Sequence, residues 1–151
     1  CWLRGLSRSA ASAKGERMIG VVIVAHGGLA RELKLAMEHV VGRRPGVVAI
    51  STEPDDNLIA KQGEIDEAIA GVDAGNGVAV VTDMFGGTPC NLAISASRPD
   101  SVEVIYGANL PILVKLAKSR DKTLEVAAQC AVNAGVKYVD RASCMLKADA
   151  C

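Results

Sequence analysis

The chain has 151 residues, half of them hydrophobic, enough for one compact domain with a sizeable core. Basic and acidic side chains balance at 17 each and form no basic stripe with interleaved aromatics, so nucleic acid is not an expected partner. Aromatics make up only 3% of the chain, so the core must be built from Val, Ile, Leu and Ala, the usual filling of a parallel sheet covered by helices.

The charge is uneven along the chain. Residues 1–17 carry Arg4, Arg8, Lys14 and Arg17 against Glu16, a net of +3, which leaves a net of −3 over residues 18–151. This first stretch is rich in Ser, Ala and Arg and has no apolar run long enough for a signal-peptide core or a membrane span. The expectation is a disordered extension over 1–17, with Met18 as the natural start, ahead of a single domain over 18–151. An Arg- and Ser-rich, acid-poor opening also has the character of an organellar transit peptide, but Met18 as the natural start is the simpler account. The five cysteines (Cys1, Cys90, Cys130, Cys144 and Cys151) are odd in number and lack CxxC spacing, so they read as free thiols of a reducing compartment.

From Met18 onward, apolar runs alternate with helical patterns. Residues 19–25 form a continuous apolar run that reads as a buried parallel strand, and His26 follows at once, ahead of Gly27 and Gly28. A helix is predicted over 29–42, where Leu29, Leu33, Met37 and Val40 recur at helical spacing and Gly42 closes the pattern. His39 falls inside that helix, and no chemistry is assigned to it. A second strand is predicted over 47–51, and Pro54-Asp55-Asp56 introduces a helix to about residue 70 with Leu58, Ile65 and Ile69 on one face.

The third strand, 78–82, runs into Asp83-Met84-Phe85-Gly86-Gly87-Thr88-Pro89-Cys90-Asn91. Thr88 before Pro89 predicts an N-cap followed by a first helical residue, with backbone N–H groups pointing outward as an anion site. That helix is expected to reach about residue 97. A fourth strand over 102–106, a helix capped by Asn109 and running to about 118, and another starting at Asp121 follow. In the last of these, Leu124, Ala127, Ala128, Ala131 and Val132 are expected to face inward. Val136 to Val139 reads as a short last strand, a candidate for exchange between protomers.

Strands alternating with helices imply an α/β fold: a single-domain open sheet, mostly parallel, with about four parallel strands plus the short last one and helices on both faces. The expected order puts the first strand between the second and third. His26 and Asp83 then emerge side by side at a switch-point crevice, with the glycine turn as the wall. A histidine, a carboxylate and an anion nest together point to phosphoryl transfer. A carboxylate beside one ring nitrogen fixes the tautomer, so Asp83 accepting from Nδ1–H would leave Nε2 as the attacking lone pair. No GxxxxGK[ST] loop is present, so the donor is expected to be another phosphoprotein rather than ATP.

Three stretches carry a family resemblance: Gly20-Val-Val-Ile-Val-Ala-His-Gly-Gly-Leu-Ala, Thr82-Asp-Met-Phe-Gly-Gly-Thr-Pro-Cys-Asn and Gly107-Ala-Asn-Leu-Pro-Ile-Leu. Together, in this order and at strand ends, they resemble the IIA component of the mannose family of the bacterial phosphoenolpyruvate-dependent sugar phosphotransferase system (PTS). The resemblance spans residues 18–140. It implies a cytoplasmic homodimer that accepts a phosphoryl group from the histidine-containing phosphocarrier protein HPr and passes it to a IIB partner. By that resemblance, His26 carries the phosphoryl group and Asp83 orients it, giving a phosphotransferase with a phosphohistidine intermediate. Gly27, Gly86, Gly87 and Thr88 are the candidates to hold the phosphoryl oxygens, with Met84, Phe85, Pro89, Asn91 and Asn109 on the pocket rim. No metal and no organic cofactor is expected, nor direct membrane insertion.

Two alternatives stand beside this reading. One is a stand-alone regulatory protein whose His26 phosphorylation state controls which partner it binds. The other is the phosphoryl-donor subunit of a dihydroxyacetone kinase, which shares the fold; the Gly86-Gly87-Thr88-Pro89 turn fits the mannose-type pattern better.

Overall fold

The computed structural model describes residues 17–146, so the extension expected over 1–17 lies, apart from Arg17, outside the described residues. Strand β1 (Gly20–His26) is buried along its length except at His26, as its unbroken apolar run requires. Strands β2 (Val47–Thr52), β3 (Val78–Thr82) and β4 (Val102–Tyr106) complete a four-stranded, all-parallel sheet in the order β2-β1-β3-β4. The register pairs His26 with Thr52 and Val24 with Thr82, so the carboxyl ends of β1, β2 and β3 finish at one edge.

Side-chain alternation along the strands builds two cores. Val21, Ile23 and Ala25 of β1 pack with α1 (Leu29–Val41), α4 (Leu110–Lys118) and α5 (Leu124–Lys137) through Met37, Leu113, Leu116 and Ala127. Val22 and Val24 pack on the other face with α2 (Leu58–Val72) and α3 (Thr88–Ser95) through Ile65, Ile69 and Ala93. Helices therefore cover both faces, as the pattern predicts, and only the strand ends are left open for chemistry.

Several boundaries move for identifiable reasons. α2 starts at Leu58 rather than at Pro54, because Asn57 caps it by accepting from the Ala60 amide while Asp56 folds back on the Glu53 amide. α5 starts after Thr123, whose hydroxyl accepts from the Val126 amide, and not at Asp121. Leu124, Ala127, Ala128 and Ala131 are buried as expected, whereas Val132 is exposed. Leu29, Val40 and Leu58, expected on apolar helix faces, are exposed as well.

The short last strand does not form among the described residues. Val136 and Lys137 are the end of α5 and Tyr138 is its C-cap. A strand at this point would need a neighbour's backbone, whereas extending the helix satisfies each peptide group within the segment. A short α6 (Ala142–Leu146) follows. Cys90 and Cys130 are free thiols; Cys144 departs from that expectation and is disulfide-bonded.

Candidate functional site

The site lies where β1 and β3 end. His26 is the last residue of β1, and Asp83 is the first residue beyond β3, so adjacent parallel strands deliver an imidazole and a carboxylate to the same edge. Asp83 Oδ2 accepts from the His26 backbone N–H at 3.0 Å and lies 2.6 Å from His26 Nδ1. Its other oxygen, Oδ1, accepts from the Met84 amide at 2.9 Å. With both oxygens engaged, the carboxylate has one orientation and fixes the ring beside it.

Exposure divides the pair: the His26 side chain is 51% exposed and the Asp83 side chain 11%. Burial pushes the Asp83 pKa up, but the hydrogen bonds from the His26 amide, the His26 ring and the Met84 amide outweigh it, and the net shift is downward. Asp83 is thus an anion held ready to accept from Nδ1–H. That bond fixes the tautomer in which Nε2 keeps its lone pair.

The glycine turn closes on the ring. Gly86 has φ +85°, a left-handed conformation that lets the chain reverse into α3. Gly87 is needed for close approach instead: a Cβ there would sit 2.8 Å from His26 Cε1 and 3.4 Å from Nε2. The start of α3 consequently faces the free nitrogen of the ring. The amides of a helix's first turn have no acceptor within the helix, and here Thr88 and Cys90 supply them, Pro89 having none to offer.

The candidates named from sequence fall into distinct places. Gly87, not Thr88, is the N-cap of α3; Thr88 is the first helical residue, exposed, and its hydroxyl has no partner among the described residues. Gly27 borders the site at φ +54°, but its amide donates to the Thr52 carbonyl at 2.9 Å and is not available to a phosphoryl oxygen. Met84 and Phe85 are exposed beside Asp83, Pro89 is buried in the first turn of α3, and Asn91 is exposed one turn on. Asn109 is committed elsewhere: it caps α4 by accepting from the Ile112 amide at 3.0 Å and donates to the Gly135 carbonyl of α5 at 3.2 Å.

Two residues at this edge were not singled out from the sequence. Tyr106 ends β4 and packs on Phe85 with ring centroids 5.1 Å apart, forming an exposed aromatic pair beside the site. Thr52 ends β2 opposite His26 and is buried; its hydroxyl donates to the Ala25 carbonyl while its own carbonyl takes the Gly27 amide. The available signal was position, since both close strands that end at the same edge as His26. Among the described residues, no group of three or more His, Cys, Asp or Glu side chains is arranged to hold a metal. No helix among them is long and apolar enough to cross a membrane.

The fold is a parallel α/β domain whose site, at the carboxyl ends of adjacent strands, sets an imidazole beside a carboxylate and a helix N-terminus. The comparisons with known proteins specify its family. The family model described as "PTS system fructose IIA component" matches residues 20–132, and the chain belongs to that family, the mannose-type EIIA components of the PTS. The chain is 33% identical over 107 residues to the PTS system mannose-specific EIIAB component of Escherichia coli strain K12; the match covers 68% of this chain and 32% of that protein. It is 29% identical over 105 residues to the PTS system fructose-specific EIIA component of Bacillus subtilis strain 168, covering 69% of this chain and 72% of the relative. Among solved structures, the PTS IIA protein associated with the fucose utilization operon of Streptococcus pneumoniae superposes with a TM-score of 0.77 at 26% identity, covering 86% of this chain and 97% of that one. The mannose/sorbose-specific IIA subunit from Enterococcus faecalis gives 0.73 at 26% identity, over 82% and 94%. Membership of this family supports a phosphocarrier role in the PTS, whose EIIA components are phosphotransferases in general.

Proposed function

We propose that His26 Nε2 accepts a phosphoryl group from a phosphorylated HPr-type carrier and passes it to a IIB partner. The observation that carries this reading is the 2.6 Å contact between His26 Nδ1 and Asp83 Oδ2 on a ring that is half exposed. In the first step the donor's N–P bond breaks as a new N–P bond forms at Nε2. The ring becomes cationic as it accepts phosphorus, and Asp83, still holding Nδ1–H, stabilises that charge without itself taking the proton, as the carboxylate of a catalytic triad does for its histidine. The N–H groups of the first turn of α3 and the Thr88 hydroxyl stabilise the negative charge spread over the equatorial oxygens. Transfer to the IIB partner reverses these events.

Because the phosphoryl group arrives on a protein, the reaction calls for neither a metal nor an organic cofactor. We place it in the cytoplasm, where phosphorylated HPr is made. We also propose a homodimer, supported by the exposed apolar ridge of Val132, Val136 and Val139 along the outer side of α5 and just beyond it. Sedimentation of the wild type against Val136→Glu tests that point: a dimer that becomes monomeric supports it, and a monomeric wild type removes it.

The test of the central reading is intact-mass spectrometry at alkaline pH after incubation with phosphoenolpyruvate, enzyme I and HPr. One acid-labile phosphoryl adduct on the wild type, absent from His26→Ala, is the expected result. Absence of the adduct on folded wild type in the presence of charged HPr overturns it.

A further inference from the structure

A cleft of about 700 Å3 opens between α4 and α5, with Val40 of α1 in its wall, and shares no residue with the His26 site. Its walls follow helical spacing. Leu110, Val114 and Lys118 recur every fourth residue along α4, and Cys130 and Ala134 do so along α5, ending at Tyr138 on the C-cap. Two such ridges side by side leave a groove of the shape that a third helix fills. Leu110 and Val114 are only half-buried, and Val40 and Tyr138 are exposed, so the apolar floor is open to solvent.

Charge identifies the occupant. Lys115, Lys118 and Lys137 line the groove and no Asp or Glu does. None of the three forms an ion pair with a described residue. Their place in the last turns of α4 and α5 suits the helix dipoles, which accounts for the lysines but not for an apolar floor beneath them.

We propose that this groove is a docking site for a short amphipathic helix of a partner protein, apolar along one face and carrying Asp or Glu on its flanks. A second copy of the chain fits less well. An isologous contact would face lysines with lysines, and a contact with the exposed acids of α2, such as Asp66 and Glu67, would be head-to-tail and leave open ends. Nor do the undescribed parts of this sequence supply the charge, since residues 1–16 carry a net of +2 and residues 147–151 a net of zero. The site is independent of the role of His26.

The test is titration of 15N-labelled full chain at low salt with a synthetic peptide of about 14 residues, Leu at helical spacing and Glu on both flanks. Expected are amide shift changes confined to α4, α5 and the end of α1, with a dissociation constant below about 1 mM. Replacing the peptide's Glu by Lys, or the protein's Lys115, Lys118 and Lys137 by Gln, weakens binding about tenfold, and salt weakens the acidic peptide's binding. The Gln variant's own spectrum reports that it is folded. No shift change at about 1 mM peptide, equal binding of the two peptides, or shift changes elsewhere overturns the proposal. So does a wild type that sediments as a dimer and becomes monomeric on Val114→Glu, which assigns the groove to a second copy.

Discussion

At the carboxyl end of the sheet His26 keeps half of its side chain in solvent, whereas at the amino end Arg120 is 5% exposed. Both are nitrogen-rich side chains where strands converge, and their hydrogen bonds are arranged in opposite ways. Arg120 donates from Nε to the Ile19 carbonyl at 2.5 Å and from Nη1 to the Pro45 carbonyl at 2.6 Å, while the Ile19 amide donates to the Arg120 carbonyl at 2.9 Å. Burial, with Arg44 nearby, lowers its pKa, and backbone carbonyls take the place of a carboxylate. His26 has one ring nitrogen fixed by Asp83 and the other without a partner among the described residues. The amino end uses a cation to tie together the starts of β1, β2 and the loop after α4. The carboxyl end uses an anion to orient a half-exposed imidazole. Two donors committed to backbone carbonyls distinguish the amino end, and a ring nitrogen with no partner among the described residues distinguishes the carboxyl end.

The sharpest way to break this comparison is His26→Ala, which removes phosphoryl acceptance altogether while circular dichroism stays that of the wild type. Asp83→Asn comes next. The ring loses its enforced tautomer, and phosphorylation should slow about a hundredfold in single-turnover labelling. The same variant tests linkage. A carboxyl whose folded pKa is depressed contributes stability above its ordinary value of about 4, and loses it as pH falls through the folded value. Urea midpoints measured from neutral to acid pH should therefore fall less steeply for Asp83→Asn than for the wild type.

Gly87→Ala sharpens the comparison at smaller cost. A Cβ 2.8 Å from His26 Cε1 displaces the ring or the helix start, and the labelling rate should drop about tenfold with the fold intact. An unchanged rate would show that the closeness of α3 to the ring is not used. At the other end, Arg120→Met should cost about 3 kcal/mol in denaturant unfolding, because the buried Ile19 carbonyl and the part-buried bond to the Pro45 carbonyl both lose a charged donor. Its labelling rate, measured where the variant is still folded, should match the wild type. If Arg120→Met slowed phosphorylation while folded, the separation of the two ends would fail.

Much of the architecture was legible because the signals were local. The runs leading to His26 and Thr82 are unbroken and apolar, and period and punctuation placed all four strands within a residue or so. Asn109 was recognisable as a cap because Pro111 follows it in the first turn. Thr88 misled for the same kind of reason: Thr before Pro is a good capping pair, but the close approach of the turn to His26 moved the cap back to Gly87. The Val136–Val139 segment carries a β-branched residue at each end, yet Val136 and Lys137 finish α5 and Tyr138 caps it, since no sheet edge among the described residues takes the segment as a strand.

The site divides along the same line. By itself the sequence determined the residue types and their place at strand ends: His26 after one apolar run, Asp83 after another, and glycines beside both. Backbone periodicity settles that much, since a buried parallel strand must end where its apolar run ends. Only the tertiary structure decided which nitrogen Asp83 holds, that the Gly27 amide is already taken by Thr52, and that Tyr106 joins Phe85 beside the site. These depend on register between strands far apart in the chain and on distances of a few tenths of an ångström, which no local pattern encodes.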